Sequence, residues 1–400
     1  MWEQIRSNQV RSVVLTIGMG ALLVVIGYFL GLYFFDNAFA GLLIAILVWA
    51  VLSLIGYFQG DSILLSMSRA KKIKRDDHPR LYNIVEEMKI ASGLEKMPNI
   101  YIIDDPALNA FATGRDPNRA SVAITSGLLQ KLNRDELQGV IAHEISHVKN
   151  RDVLLMSMCS ILLGTIVILA WYGSRIMIFG SMTGSRRSSS SGGGGQGQAI
   201  ILIISLVFII LAPIMAQLIY FAISRKREYL ADASAALYTR YPEGLASALE
   251  KLGTSTGQLK SANKATAPMY IVNPFRKKGM RASDLSSTHP PISERIRILR
   301  AMAGASFNDY DQAYSEVHRG KGVIPAASLA AETVPIATIK LEGEAGEPTE
   351  IQRARETSDV MWQLNNYNTI TCDCGTKLRV PPKFKGPTIK CPHCGRTHQV

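Results

Sequence analysis

The chain alternates between long apolar blocks and stretches of mixed, amphipathic character. Crossing a bilayer as a helix takes about 20 predominantly apolar residues. Blocks at 12–35, 38–58, 153–172 and 199–224 all reach that length. Only Asp36-Asn37 separates the first two, so they are expected to form a tight hairpin. The first block is too long for a signal-peptide core and no small-residue cleavage site follows it, which makes it a retained span. Pro213 and Gln217 make the fourth block less uniform, as expected if one of its faces packs on protein.

Between the two hairpins, residues 76–152 read as globular. Leu81, Ile84, Val85 and Met88 recur at helical spacing within 78–91. Residues 98–104, 109–114 and 121–125 read as strands, with a turn over 114–118. Asn133 followed by Glu136 is a capping-box signal for a helix start. Leu137, Val140, Ile141, Ile145 and Val148 then form an apolar stripe. This helix is expected to run almost without a break into the third block, so whatever it carries lies close to the membrane surface. Residues 181–198, rich in serine and glycine, are expected to be a flexible loop. Residues 320–368 read as a linker, helical over 354–363, ahead of a small module at 369–400. The expected fold class is α+β, mainly α. Two hairpins (1–60 and 153–224) provide four transmembrane helices around a globular domain split between 61–152 and 225–319.

Composition changes the picture in one respect. Hydrophobic residues make up 47% of the chain and the net charge is +12. A nucleic-acid partner would explain that charge, but its distribution favours a membrane. Arg69, Lys71, Lys72, Lys74 and Arg75 follow one apolar block, and Arg225, Lys226 and Arg227 follow another. The positive-inside rule therefore puts the globular domain in the cytoplasm and makes nucleic acid an unexpected partner. The loop 181–198 then lies outside despite Arg175, Arg186 and Arg187, a local violation of the rule. The alternative is that blocks three and four dip into the membrane without crossing.

The chemistry concentrates in His143-Glu144-Ile145-Ser146-His147. Histidines four apart share one helix face and can reach one Zn²⁺, with the intervening glutamate placed to take a proton from a metal-bound water. An ordinary amphipathic helix would leave Glu144 on a largely apolar face without a purpose. A catalytic zinc needs three protein ligands and an open position. Glu228 is a candidate third ligand, delivered to the same surface by the return of the fourth block, with Asp232 four residues on as acceptor for a histidine's free ring N–H. On spacing alone the two could equally be a solvated acidic pair beside Arg225–Arg227.

Of five cysteines, Cys159 is alone in an apolar block and reads as a small hydrophobe. Cys372, Cys374, Cys391 and Cys394 form two knuckles, each followed by glycine, which is a zinc-ribbon pattern. His393 or His398 could replace a cysteine, but four thiolates suffice. So short a module has too little core to fold without a metal. Its lysines and arginines suggest that it recruits substrate or a regulatory protein partner.

The combination of His143-Glu144-x-x-His147 and, beyond a membrane hairpin, Glu228-x-x-x-Asp232 resembles the HtpX-like membrane metalloproteases, relatives of the CAAX prenyl proteases. Residues 109–114, 147–152 and Ser287-Thr288-His289-Pro290-Pro291 with Arg295 extend the resemblance over about residues 1–300. It implies a gluzincin-type zinc endopeptidase of the plasma membrane, acting at the cytoplasmic face on misfolded or damaged membrane proteins under stress. His143, His147 and Glu228 would hold the catalytic zinc, with Glu144 as the catalytic glutamate. Substrate would add as a strand along Asn109, Ala110, Phe111, Ala112 and Thr113, and His289 and Arg295 would stabilise the oxyanion. A second zinc in the ribbon would be structural. The competing expectation is a non-catalytic membrane scaffold that binds partners through its ribbon.

Overall fold

A computed structural model describes residues 2–157, 225–255, 269–272, 289–330 and 347–400, with isolated positions between 160 and 259 and at 338. Most of the third and fourth apolar blocks, Cys159, the 181–198 loop and Ser287-Thr288 lie outside the described residues.

The chain opens with two long helices, α1 (Trp2–Phe35) and α2 (Ala38–Met67). Their turn follows from local chemistry. Asp36 takes a left-handed conformation, and the Asn37 side chain accepts from the backbone N–H groups of Phe39 and Ala40, capping α2. The helices then approach through glycine: a Cβ on Gly41 would lie 2.1 Å from the Gly27 carbonyl oxygen and 2.6 Å from the Gly31 Cα. Small residues at such a crossing let backbones pack closely where lipid supplies no hydrophobic drive between helices. Among the described residues, α2 is long and apolar enough to cross a bilayer, and α1 carries an apolar stretch over Thr16–Leu32.

The basic run after α2, expected only as a flank, instead contributes strand β1 (Ala70–Lys72). Helix α3 (Pro79–Ser92) follows, capped by the His78 ring at its start and by left-handed Gly93 at its end. Strands β2 (Asn99–Ile103), β3 (Ala110–Gly114) and β4 (Ala120–Thr125) complete a sheet of order β1-β2-β4-β3. β2 and β4 are parallel and the outer pairs antiparallel, so β3 is an edge. Helices α4 (Ser126–Lys131) and α5 (Arg134–Lys149) come next, and α5 starts with the full capping box between Asn133 and Glu136.

The near-continuous run expected from α5 into the third block is interrupted by a short turn. α5 ends with Asn150 as its C-cap, and Arg151 is left-handed (φ 58°) before helical residues 152–157 (α6). The chain resumes as α7, helical over 225–239, then α8 (Pro242–Thr254), α9 (Ile292–Ala301), α10 (Phe307–His318) and α11 (Ala326–Ala330). α5 and α8 pack backbone to backbone, since a Cβ on Gly139 would fall 2.7 Å from the Leu245 nitrogen. One core joins α3, α5, α7, α8, α9 and the inner face of the sheet.

Within the 320–368 stretch lies α12 (Glu350–Leu364), whose Val360 and Met361 belong to the same core. The terminal module is two hairpins, β5 (Asn368–Thr371) with β6 (Lys377–Val380) and β7 (Thr388–Lys390) with β8 (Thr397–Gln399).

Candidate active site

Helices α5 and α7 bring together the residues that the sequence separates by some 80 positions. The His143 and His147 Nε2 atoms lie 3.3 Å apart, and each is 3.5 Å from an oxygen of Glu228. Zinc ligands at about 2.0–2.2 Å in a tetrahedral arrangement are separated by about 3.3–3.5 Å, so this donor set has the spacing that a zinc ion needs. All three side chains are buried, and Glu228 Oε2 has no hydrogen bond among the described residues although it is enclosed by protein. A buried carboxylate oxygen without a hydrogen bond, with only His143, His289 and Arg295 nitrogens at 3.5–3.9 Å, suits a metal ligand.

The outer partners are carboxylates on both sides. Asp232, one turn after Glu228 on α7, accepts from His143 Nδ1 at 3.0 Å. Asp152 lies 3.2 Å from His147 Nδ1. Each imidazole is thereby oriented with its Nε2 toward the common centre, the usual support of a ligating histidine. Sequence reasoning identified Asp232 but missed Asp152. It is five residues from His147, off the helical period, and only the left-handed turn at Arg151 swings it back beneath the ring.

Arg295, wholly buried on α9, grips Asp232 through Nε at 2.7 Å and Nη2 at 2.6 Å. Its Nη1 has no hydrogen-bond partner among the described residues and sits 3.9 Å from Glu228 Oε2. His289 Nε2 reaches the same Glu228 oxygen at 3.5 Å.

The electrostatics favour positive charge at the centre. Burial opposes charging His143, yet its bonds to Asp232 and Glu228 prevail and push it up to about 9. Burial would also raise Glu228, but His289 and the two ligating rings hold it well below the usual carboxylate range. Burial takes His289 down to about 4, leaving it neutral near pH 7. Glu144 moves the other way: burial raises it, with the two histidines and the Ala112 backbone pulling it back only partly. A carboxylate raised by desolvation is a proton acceptor tuned toward neutral pH.

β3 flanks this centre. Its Asn109 carbonyl pairs inward, accepting from Thr125 N–H at 3.0 Å, so alternation turns the backbone groups of Ala110 and Ala112 outward. Ala110 is already taken: its carbonyl accepts from Ile271 N–H at 3.1 Å, and Asn109 Nδ2 donates to the Val272 carbonyl at 2.9 Å. Phe111 meets Tyr270 edge to face, and the Tyr270 hydroxyl bonds Ser68 just past α2. Asn109 lies immediately before the strand, and Ala110 to Thr113 lie within it.

The four C-terminal cysteines form a second centre. Sγ separations are 3.4 Å for Cys372 to Cys394 and 3.7 Å for Cys374 to Cys391. These are far beyond a disulfide bond and close to the roughly 3.8 Å expected between thiolates at about 2.3 Å from a tetrahedral zinc. The cysteine cluster fits a zinc ribbon.

Comparison with known proteins agrees with this geometry. The model of peptidase family M48 matches residues 75–303. A "Protease HtpX homolog" of Dictyoglomus turgidum is 45% identical over 301 residues, covering 75% of this chain and 94% of that protein. Another, from Listeria monocytogenes, is 42% identical over 305 residues, covering 76% of this chain and all of its own length. Among solved structures, Ste24p of S. mikatae aligns with a TM-score of 0.40 at 20% identity, over 75% of this chain and 67% of that one, a likeness too distant to bear on the fold. The chain belongs to peptidase family M48 and is an HtpX-like membrane metalloprotease.

Proposed function

We propose that the chain is a zinc endopeptidase that hydrolyses peptide bonds in misfolded or damaged membrane proteins at the cytoplasmic face of the plasma membrane. The observation that carries this is the buried cluster of His143 Nε2, His147 Nε2 and the two Glu228 carboxylate oxygens, 3.3 Å between the nitrogens and 3.5 Å from each nitrogen to one oxygen, with Glu144 beside it. Zinc held there supplies an acidified water and polarises the scissile carbonyl.

The chain's own residues do the rest. Glu144 accepts the proton released at attack and returns it to the leaving amine. Asp232 and Asp152 hold the two imidazoles, and Arg295 holds Asp232. His289 and Arg295, both facing Glu228 Oε2, would stabilise the oxygen that becomes negative. Substrate joins the outer edge of β3 at the carbonyl of Ala112, whose own N–H faces Glu144, and Ile271 limits how far it can pair along the strand. Only an extended segment can add to a sheet edge, which favours unfolded over native polypeptides. The catalytic helix ends where the third apolar block begins, which favours substrates at the membrane, and the basic flanks at 69–75 and 225–227 favour the cytoplasmic side.

Glu144→Gln preserves shape and removes the proton acceptor. It should keep its zinc by metal analysis and lose about 10²–10⁴-fold in casein degradation in detergent. Undiminished turnover with zinc bound would sink the assignment.

A further inference from the structure

The zinc ribbon has no part in the peptidase site, and its basic residues are unequally employed. Lys377 and Arg379 both reach Asp359 on α12, and Arg396 pairs with Asp373. Lys383, Lys385 and Lys390 are exposed and pair with no acid among the described residues. Between the first two, Phe384 stays 39% exposed at the tip of Pro381-Pro382-Lys383-Phe384-Lys385-Gly386-Pro387. An aromatic ring flanked by lysines on a proline-stiffened turn is chemistry suited to a headgroup layer.

The fold decides where this loop is carried. The start of α12 is pinned near the start of α5: Arg134 N–H donates to Glu347 at 2.7 Å, Glu350 pairs with Lys131, and Arg353 Nε donates to the Gln130 carbonyl at 3.3 Å. The end of α12 is pinned near the end of α2: Lys71 Nζ donates to the Leu364 carbonyl at 3.1 Å and also bonds Asn365. α5 runs from its start toward the third apolar block, and Met67 closes the candidate membrane span. α12 therefore runs toward the bilayer. β6 runs alongside it in the same sense, from Lys377 opposite Asp359 to Val380, which pairs with Asn368 just beyond the helix end. Residues 381–387 leave β6 in that direction.

We propose that the 381–387 loop, with Lys390, is a docking surface for anionic phospholipid, seating the ribbon on the same membrane face as the active site. The proposal does not depend on the peptidase mechanism. Each lysine near an anionic leaflet favours the docked state about fivefold, and salt weakens the attraction by screening.

The test uses the zinc-loaded full chain in nanodiscs of phosphatidylcholine alone or mixed with phosphatidylglycerol, read by hydrogen exchange at the amides of 383–386. Exchange should be several-fold slower with phosphatidylglycerol. The slowing should vanish in high salt and in Lys383→Glu/Lys385→Glu, and be halved or less in Lys383→Gln/Lys385→Gln, both variants retaining ribbon zinc. Equal exchange in the two lipids overturns the proposal. So does slowing that survives charge reversal, or slowing that arises only when a polypeptide is added, which would make the loop a protein-docking surface.

Discussion

The clearest quantitative consequence concerns Arg295. Its side chain is wholly buried, and two charge-assisted bonds of 2.6 and 2.7 Å tie it to Asp232, also fully buried. Arg295→Met keeps much of the side-chain volume but strands the Asp232 charge in the interior. Breaking one partner of a buried pair costs about 3–5 kcal/mol. That is a large fraction of the roughly 5–15 kcal/mol that holds a typical domain. Arg295→Lys restores the charge without the planar fork and should lose one strong bond, about 1.5–3 kcal/mol. Asp232→Leu/Arg295→Met removes both charges and should recover most of the stability lost by the single variant. The double variant still leaves His143 Nδ1 without its acceptor, which should weaken zinc binding about 10–100-fold. Thermal unfolding in detergent with chelator isolates the first effect, and zinc competition against a chromophoric chelator reads the second. An Arg295→Met variant within about 0.5 kcal/mol of the parent, a surface-like value, would refute the buried-pair reasoning. A double variant with parental zinc affinity would refute the role given to Asp232.

Other predictions rest on separate parts of the molecule. His78 is buried as the cap of α3, with Nδ1 accepting from Leu81 N–H at 3.2 Å, and burial followed by Arg80 takes it down to about 4. The unfolded chain binds this proton from about pH 6.5 downward and the folded chain only near 4, so this contribution is complete above pH 6.5 and lost as pH falls to 4. It amounts to about 3 kcal/mol, and urea unfolding of His78→Asn across that window should be flatter by this amount; an unchanged slope would count against it. Gly139→Ala gains helix propensity of roughly 1 kcal/mol but drives a Cβ to 2.7 Å from the Leu245 backbone, so a net loss of about 1–3 kcal/mol is expected, and a raised melting point would contradict the close α5–α8 contact. Replacing Cys391 and Cys394 by serine should remove one zinc equivalent per chain and unfold the ribbon while the His143 centre keeps its metal, as read by metal analysis and site-resolved hydrogen exchange; full zinc retention would exclude the four-thiolate site.

Much of the site could be read from local pattern. Spacing of four along a helix put His143 over His147 and Glu228 beside Asp232, because helical period is a property of the backbone alone. Capping chemistry at Asn133 located the start of α5, and short runs bounded by turn residues located β3 and β4, since these too are local signals. Paired cysteines with following glycines marked the ribbon because so small a fold has few other ways to be stable. What depended on distant segments was decided in three dimensions. The left-handed turn at Arg151, which brings Asp152 under His147, leaves no signature in the apolar pattern. The basic run at Ala70–Lys72 became a strand because a neighbouring edge offered hydrogen bonds that the isolated segment cannot make. Ile271 reached Ala110, Arg295 reached Asp232, and α12 joined the core across long sequence separations. Local propensity records how a segment bends; it carries no information on which distant groups will meet, since those contacts are selected by burial and by pairing of polar atoms once the whole chain has closed.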